Sequence, residues 1–194
     1  MNAYINAIGT AVPKLDFQGI FPDLMGEFLG MKPELIRRLI QRMGIDQRYS
    51  VLPFKKGDNF YQRPDDPNFT PGTALRMMEY KERAPILAYQ AARKIINPHK
   101  VEEEITHVVV GSCTGFYAPG LDLDVIRMLG LPYTTKRRII GFMGCHAGLT
   151  VLETASDIVG SDPEAVVLTI NVELSSLHFQ KPKEGEDKGI HESF

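Results

Sequence analysis

The chain has 194 residues, 43% of them hydrophobic and 24% charged, which is enough to bury one sizeable core and fits one large domain better than two. A formal charge of -2 supplies no global basic field, which argues against nucleic acid, or a membrane surface recognised by charge, as a major partner. The two cysteines, Cys113 and Cys145, are too few for a disulfide scaffold and lie in no C-x-x-C pair or metal-ligand cluster, so each reads as a single thiol.

The opening run MNAYINAIGTAVP lacks the charged and long apolar regions of a signal peptide, and no apolar run approaches the ~18 residues of a membrane span. A cytoplasmic protein is expected. Ala3 to Ile8 alternate well enough for a short strand, which Gly9 to Pro13 stop with a turn. A helix follows, with Pro33 at its first position, Leu35, Ile36, Leu39, Ile40 and Met43 on one face, and Gly44 past its end. Tyr49 to Pro71, rich in Pro, Asp, Asn and Phe, reads as an irregular loop that could cover a site.

Thr73 to Asn97 is helical in pattern, and Pro85 predicts two pieces rather than one rod, with Pro98 closing the second. THVVVGS, Thr106 to Ser112, is a short β-branched run expected to form a strand buried on both faces. Leu121 to Leu129 reads as a helix, Arg138 to Phe142 as a second buried strand, Ala147 to Val159 as a further helix, and Ala165 to Val172 as a third buried strand. Strands alternating with helices of this length imply an α/β fold, a mostly parallel sheet with helices on both faces. The charged, glycine-bearing tail from Lys181 to Phe194 has little to bury and is expected to be disordered.

Cys145 lies in Phe142-Met143-Gly144-Cys145-His146-Ala147-Gly148, between a predicted buried strand and a predicted helix. Unpaired backbone N–H groups at a helix N-terminus favour the thiolate, the form that attacks a thioester. Gly144 and Gly148 suit a tight strand-to-helix turn, as in nucleophile elbows. On spacing alone, a small buried hydrophobe remains the alternative for this cysteine.

Several segments taken in order carry a resemblance to one family. RRIIGFMGCHAGLTVLETASDIV resembles the active-site segment of type III (chalcone/stilbene synthase-like) polyketide synthases, where a Gly-Cys closes a strand and the cysteine opens a buried helix. Gly111 to Gly120 (GSCTGFYAPG) resembles that family's strand and loop ending in Pro-Gly, and Asn171 to Phe179 (NVELSSLHF) its Ser-Glu-rich strand after the nucleophile helix. Gly44 to Pro53 (GIDQRYSVLP) and Glu82 to Pro85 (ERAP) are similar to its upstream markers.

The resemblance runs from near Met1 to about Gln180 and covers about the first half of a family member. It implies a thiolase-like fold whose first-half βαβαβ unit fills 1–180, apparently truncated, with an exposed sheet edge and an uncovered apolar central helix. It further implies an acyltransferase in which Cys145 takes an acyl group from acyl-CoA, and malonyl-CoA is decarboxylated and condensed onto it. The His and Asn that complete this chemistry come from the family's second half. No cofactor or metal is implied, CoA thioesters being substrates, and the expected partner is a second copy or another thiolase-fold chain.

Residue by residue, the resemblance places Cys113 and Thr114 at the border of the acyl cavity and His178 in its lining. Arg37, Arg38, Arg42 and Arg48 fall where the family contacts CoA phosphates, which guanidinium groups suit through paired hydrogen bonds. Arg48 is the best single choice, because the others lie partly on the solvent face of an amphipathic helix. Ala118 departs from plant members, which carry there a Met reaching across the dimer. His146 neighbours Cys145 but points elsewhere along a helix, so packing or capping is expected of it. The acidic, aromatic loop Asp58 to Asp66 has no His or Cys nearby and is not read as a metal site.

Two alternatives stand beside the polyketide synthase reading. One is an inactive fragment or an interaction-only partner of another thiolase-fold chain. The other is a condensing enzyme like β-ketoacyl carrier-protein synthase III or HMG-CoA synthase, which share the cysteine elbow.

Overall fold

Six consecutive buried residues, His107–Ser112, form β3, the middle strand of a parallel three-stranded sheet. The computed structural model describes residues 3–55, 57–66, 68–96 and 105–180; the polar tail 181–194 lies outside them. The sheet runs in the order β4-β3-β5, with β4 at Lys136–Gly141 and β5 at Val167–Asn171. Its register pairs Val109 with Arg138 and Thr169, and Gly111 with Ile140 and Asn171. The β-branched Val108, Val109 and Val110 suit this central position and are each 1% exposed or less.

Two helices make the crossovers that parallel strands require. Helix α4, Leu121–Leu129, joins β3 to β4 and is bounded by Gly120 and the left-handed Gly130. Helix α5, Ala147–Ser161, joins β4 to β5 and places Val151 and Ile158 against Val109 and Ala165, with Ile140 packed on the same cluster. Ile139 points the other way by the strand's two-residue period, and its Cδ1 lies where a side chain on Gly120, at the start of α4, would stand. The helices therefore cover both faces of the sheet.

The chain divides into two units, Met1–Ala11 with Met77–Leu174 and Val12–Arg76 with Ser175–Phe194. The first holds the sheet. Its share of α3 (Thr73–Ala92), from Met77 onward, buries Tyr80, Ala84, Ala88 and Ala92 along one line at the i, i+4 spacing. It remains one helix through Pro85, where two pieces were expected. The proline ring's fixed φ is compatible with a helix, so the chain gives up one hydrogen bond, not the helix, while Ala84 and Pro85 stay buried.

Residues 3–8 form no strand, contrary to their alternation, and Tyr4, Ile5 and Ile8 are exposed. A strand needs a partner edge, and instead this segment runs past α3. Lys94 Nζ donates to the Thr10 carbonyl, and a side chain on Gly9 would collide with the Ala91 carbonyl oxygen at 2.5 Å. Strand β4, expected to be buried, is the outer strand of the described sheet with its first four residues exposed. Lys136, Arg137 and Arg138 suit such an edge. Strand β5 alternates between half-buried and buried residues and ends on an exposed Asn171.

In the second unit, β1 (Leu15–Asp16) and β2 (Tyr49–Ser50) pair antiparallel, the latter a short interruption of the expected loop. Helix α1, Phe21–Leu29, occupies a stretch to which the patterns assign no element, and packs on the expected helix α2, Pro33–Arg42. Around α1 gathers an aromatic cluster: Phe179 stacks on Phe28 with ring centroids 4.6 Å apart and meets Tyr61 edge-on at 5.6 Å. The Tyr61 hydroxyl donates to the Ser176 carbonyl at 2.6 Å.

Candidate active site

In parallel sheets, side chains and loops just beyond the carboxyl ends of the strands converge on one edge. Here that edge carries Cys113 and Thr114 after β3, Phe142 to Cys145 after β4, and Glu173 after β5. The register, which levels Gly111 with Asn171 and Ser112 with Gly141, places Cys113 level with Glu173 on one side and Phe142 on the other.

The link from β4 to α5 is a sharp turn. Phe142 has φ of 57°, a left-handed conformation rare outside glycine, and Gly144 has φ of 70°. A single 3-10 turn, Gly144–His146, then leads into α5 at Ala147, so Cys145 sits in the middle of that turn, one residue before the helix N-cap at His146, and is exposed. Gly144 earns its place by its backbone angle, whereas a side chain on Gly148 would meet Asn171 only at an ordinary 3.8 Å. Closer packing is required at Gly111, where a side chain would come within 2.7 Å of Val151 on α5.

Behind the turn, Glu173 gathers the end of β3. Its Oε1 accepts the Cys113 N–H at 2.8 Å, and its Oε2 accepts the Thr114 N–H at 3.0 Å and the Thr114 hydroxyl. Thr114 Oγ1 in turn accepts the Leu174 N–H at 2.9 Å. Ser112 links this carboxylate to the interior, donating to Glu173 at 3.5 Å and accepting the Tyr80 hydroxyl at 2.6 Å. Burial pushes the Tyr80 phenol up to about 12, opposed by its bond to Ser112 and reinforced by the nearby Glu173 carboxylate. Its ring covers Gly115, where any side chain would stand about 2.0 Å from the ring carbons.

The half-buried Cys113 faces the turn itself. Its Sγ accepts the Gly144 N–H at 3.1 Å and donates to the Gly144 carbonyl at 3.5 Å. Cys113, Thr114 and Cys145 are thus gathered in the first unit. His146, expected to pack or cap, is exposed and makes no side-chain capping bond although it occupies the N-cap position of α5, its backbone being already helical there.

His178 and Arg48 belong to the second unit. His178 ends a 3-10 turn, Ser175–His178, beside the Phe179 anchor, with its Nδ1 3.3 Å from Arg76 Nη1. Arg48 donates to Gln18 Oε1 at 2.8 Å and lies 4.7 Å over the Phe21 ring, and burial lowers its pKa from the ordinary value. Glu173, Ser112 and Tyr80 were not singled out from sequence. Parallel register supplies the signal for Glu173, a carboxylate two residues beyond a strand whose neighbour ends just before Cys113; the Tyr80–Ser112 bond joins positions 32 apart and has no pattern.

Among the described residues no group of three or more His, Cys, Asp or Glu side chains could hold a metal ion. Among the same residues no helix is long and apolar enough to cross a membrane.

The family model for chalcone and stilbene synthases, N-terminal domain, matches residues 2–190. Curcumin synthase 1 of Curcuma longa is 33% identical over 97% of this chain and 50% of its own length. Bisdemethoxycurcumin synthase of Oryza sativa subsp. japonica is 30% identical over 94% of the chain and 47% of its length. Phloroglucinol synthase of Pseudomonas fluorescens is 31% identical over 75% and 39%. Among solved structures, the C-terminal type III polyketide synthase domain of Steely1, a type I/III hybrid from Dictyostelium, superposes with a TM-score of 0.70 at 26% identity, over 95% of this chain and 51% of that domain. The chain spans about half the length of the curated relatives it matches. A parallel sheet covered by helices on both faces and a match along nearly the whole chain lead to one assignment: this protein belongs to the chalcone and stilbene synthase family of type III polyketide synthase-like condensing enzymes, and has the family's N-terminal, thiolase-like domain.

Proposed function

We propose that Cys145 is the acyl-accepting nucleophile of a type III polyketide synthase reaction. Its thiolate attacks the carbonyl carbon of an acyl-CoA thioester, the bond between that carbon and the CoA sulfur breaks, and CoA leaves as a thiolate that takes up a proton. Malonyl-CoA then loses carbon dioxide, and the resulting carbanion attacks the acyl-Cys145 thioester, which lengthens the acyl chain and frees the Cys145 thiolate. The condensation needs a His and an Asn supplied by a second half, which polarise the thioester carbonyl and hold its developing negative charge.

The observation that carries this reading is an exposed cysteine set by a left-handed glycine at the carboxyl edge of a parallel sheet, in the 3-10 turn that leads into a helix. In this reading Cys113 and Thr114 border the acyl cavity, His178 contacts the acyl chain, and Arg48 meets the CoA phosphates. A cytoplasmic setting and a homodimer, or pairing with another thiolase-fold chain, go with it. A pairing-only role is the second reading, favoured by the apolar side chains exposed around the turn, Phe142 at 77% and Leu149 at 72%.

A labelled acyl-CoA separates the two. The expected result is an acyl mass on Cys145, at low occupancy for the chain by itself and lost in Cys145→Ser, with condensation products only when a chain supplying His and Asn is added. Absence of an adduct on Cys145 both with and without that chain contradicts the nucleophile and leaves the pairing role.

A further inference from the structure

We propose that Cys113 is a positioning residue for the nucleophile, its thiol holding both backbone groups of Gly144 and so fixing the turn that presents Cys145. The inference rests on Cys145 being the nucleophile, and gives Cys113 a task distinct from bordering the acyl cavity.

A thiol is both a weak donor and a weak acceptor, and Cys113 uses each capacity on the same residue: the Gly144 N–H reaches Sγ at 3.1 Å, and Sγ reaches the Gly144 carbonyl at 3.5 Å. Gly144 is the left-handed glycine of the turn. It has a φ of 70°, a side chain there would meet nothing within 4 Å, and it follows the left-handed Phe142 by two residues. Its carbonyl accepts the Ala147 N–H within the 3-10 turn, but its N–H lies beyond the strand ladder, because β4 has ended at Gly141. The contact from Cys113 replaces that ladder with a side chain from the central strand's end.

The holder is itself held. Glu173 fixes the Cys113 N–H at 2.8 Å and the Thr114 N–H at 3.0 Å, and Ser112, one residue earlier, is tied to the buried Tyr80 hydroxyl at 2.6 Å. The Cys113 side chain therefore starts from a backbone fixed on both sides, and its direction toward Gly144 follows. All three strand ends contribute: β5 through Glu173, β3 through Cys113, and β4 through Gly144. Cys145, the next residue, inherits its direction from that peptide. A conservative substitute follows from the chemistry, since a serine hydroxyl also donates and accepts, whereas alanine does neither.

Amide hydrogen exchange at Gly144 in the full chain tests the hold directly, alongside acylation of Cys145 by the same labelled acyl-CoA. In Cys113→Ala the Gly144 amide should exchange about 2- to 10-fold faster, the equivalent of one ordinary hydrogen bond, and Cys145 acylation should fall in step. Cys113→Ser should restore both. If the alanine chain does not fold, Cys113→Val keeps the volume, loses both bonds and should show the same two changes. An unchanged Gly144 exchange rate, or a serine variant no better than alanine, overturns the proposal. Exchange can be read whether or not Cys145 is acylated, so a wild-type chain without acyl adduct but with Cys113-dependent exchange removes the nucleophile and not the hold on Gly144.

Discussion

The two units hold their candidate site residues by different means. In the sheet unit, loops at the strand ends are tied by hydrogen bonds that converge on Glu173, beside the ring contacts Tyr80–Tyr117 and Phe116–Phe142. In the other unit, His178 stands next to Phe179, whose ring is fixed by stacking on Phe28 and edge contact with Tyr61. Directional bonds fix where a thiol and a backbone peptide point. Ring packing fixes where a segment lies and leaves the polar side chain beside it to its own partner, here Arg76. The difference teaches that the surroundings of Cys145 depend on particular polar atoms, and the second unit on buried apolar volume.

The largest expected effect breaks the apolar side. Phe179→Ala removes a ring 7% exposed and in contact with three others, and should cost about 3–5 kcal/mol in denaturant unfolding. A loss under about 1 kcal/mol would mean the cluster is not what anchors the turn before it. On the polar side, Gly115→Ala forces a methyl into the Tyr80 ring and should cost about 1–3 kcal/mol or more, with the near-ultraviolet tyrosine signal changed. A neutral result would show that the ring moves aside freely.

The smallest effect is a dependence on pH. The Tyr80 phenol is raised from 10.0 to about 12 in the fold, so the folded chain keeps a proton that the unfolded chain releases first. Its contribution is fully present below about pH 10 and declines as the pH rises toward 12. Tyr80→Phe should lower stability at neutral pH by about 1 kcal/mol and flatten the decline above pH 10, as read from Tm against pH. A decline of equal steepness in the variant would assign it to other groups.

Much of the sheet unit was legible because its signals are local. Gly120 and Gly130 bracket the apolar period of α4, and the valines of β3 form an unbroken buried run. The edge position of β4 was not legible, since its burial depends on which strand lies beside it. Helix α1 carries Pro22, Gly26 and Gly30, residues that obscure a helical pattern; Pro22 sits in the first turn, Gly30 is the left-handed cap, and Gly26 is needed where α1 approaches Met31 and Pro33. The position of Cys145 was legible from its ordered neighbours. The left-handed Phe142 and the bonds of Glu173 and Cys113 were not, because they arise when three strand ends meet.

Site-resolved mass spectrometry after exposure to a labelled acyl-CoA tests the central claim most directly, because the two thiols act as each other's control. The acyl mass is expected on the peptide carrying Cys145, absent from the one carrying Cys113, and abolished by Cys145→Ser. An acyl mass on Cys113 in preference to Cys145, or one that survives Cys145→Ser, would contradict the account.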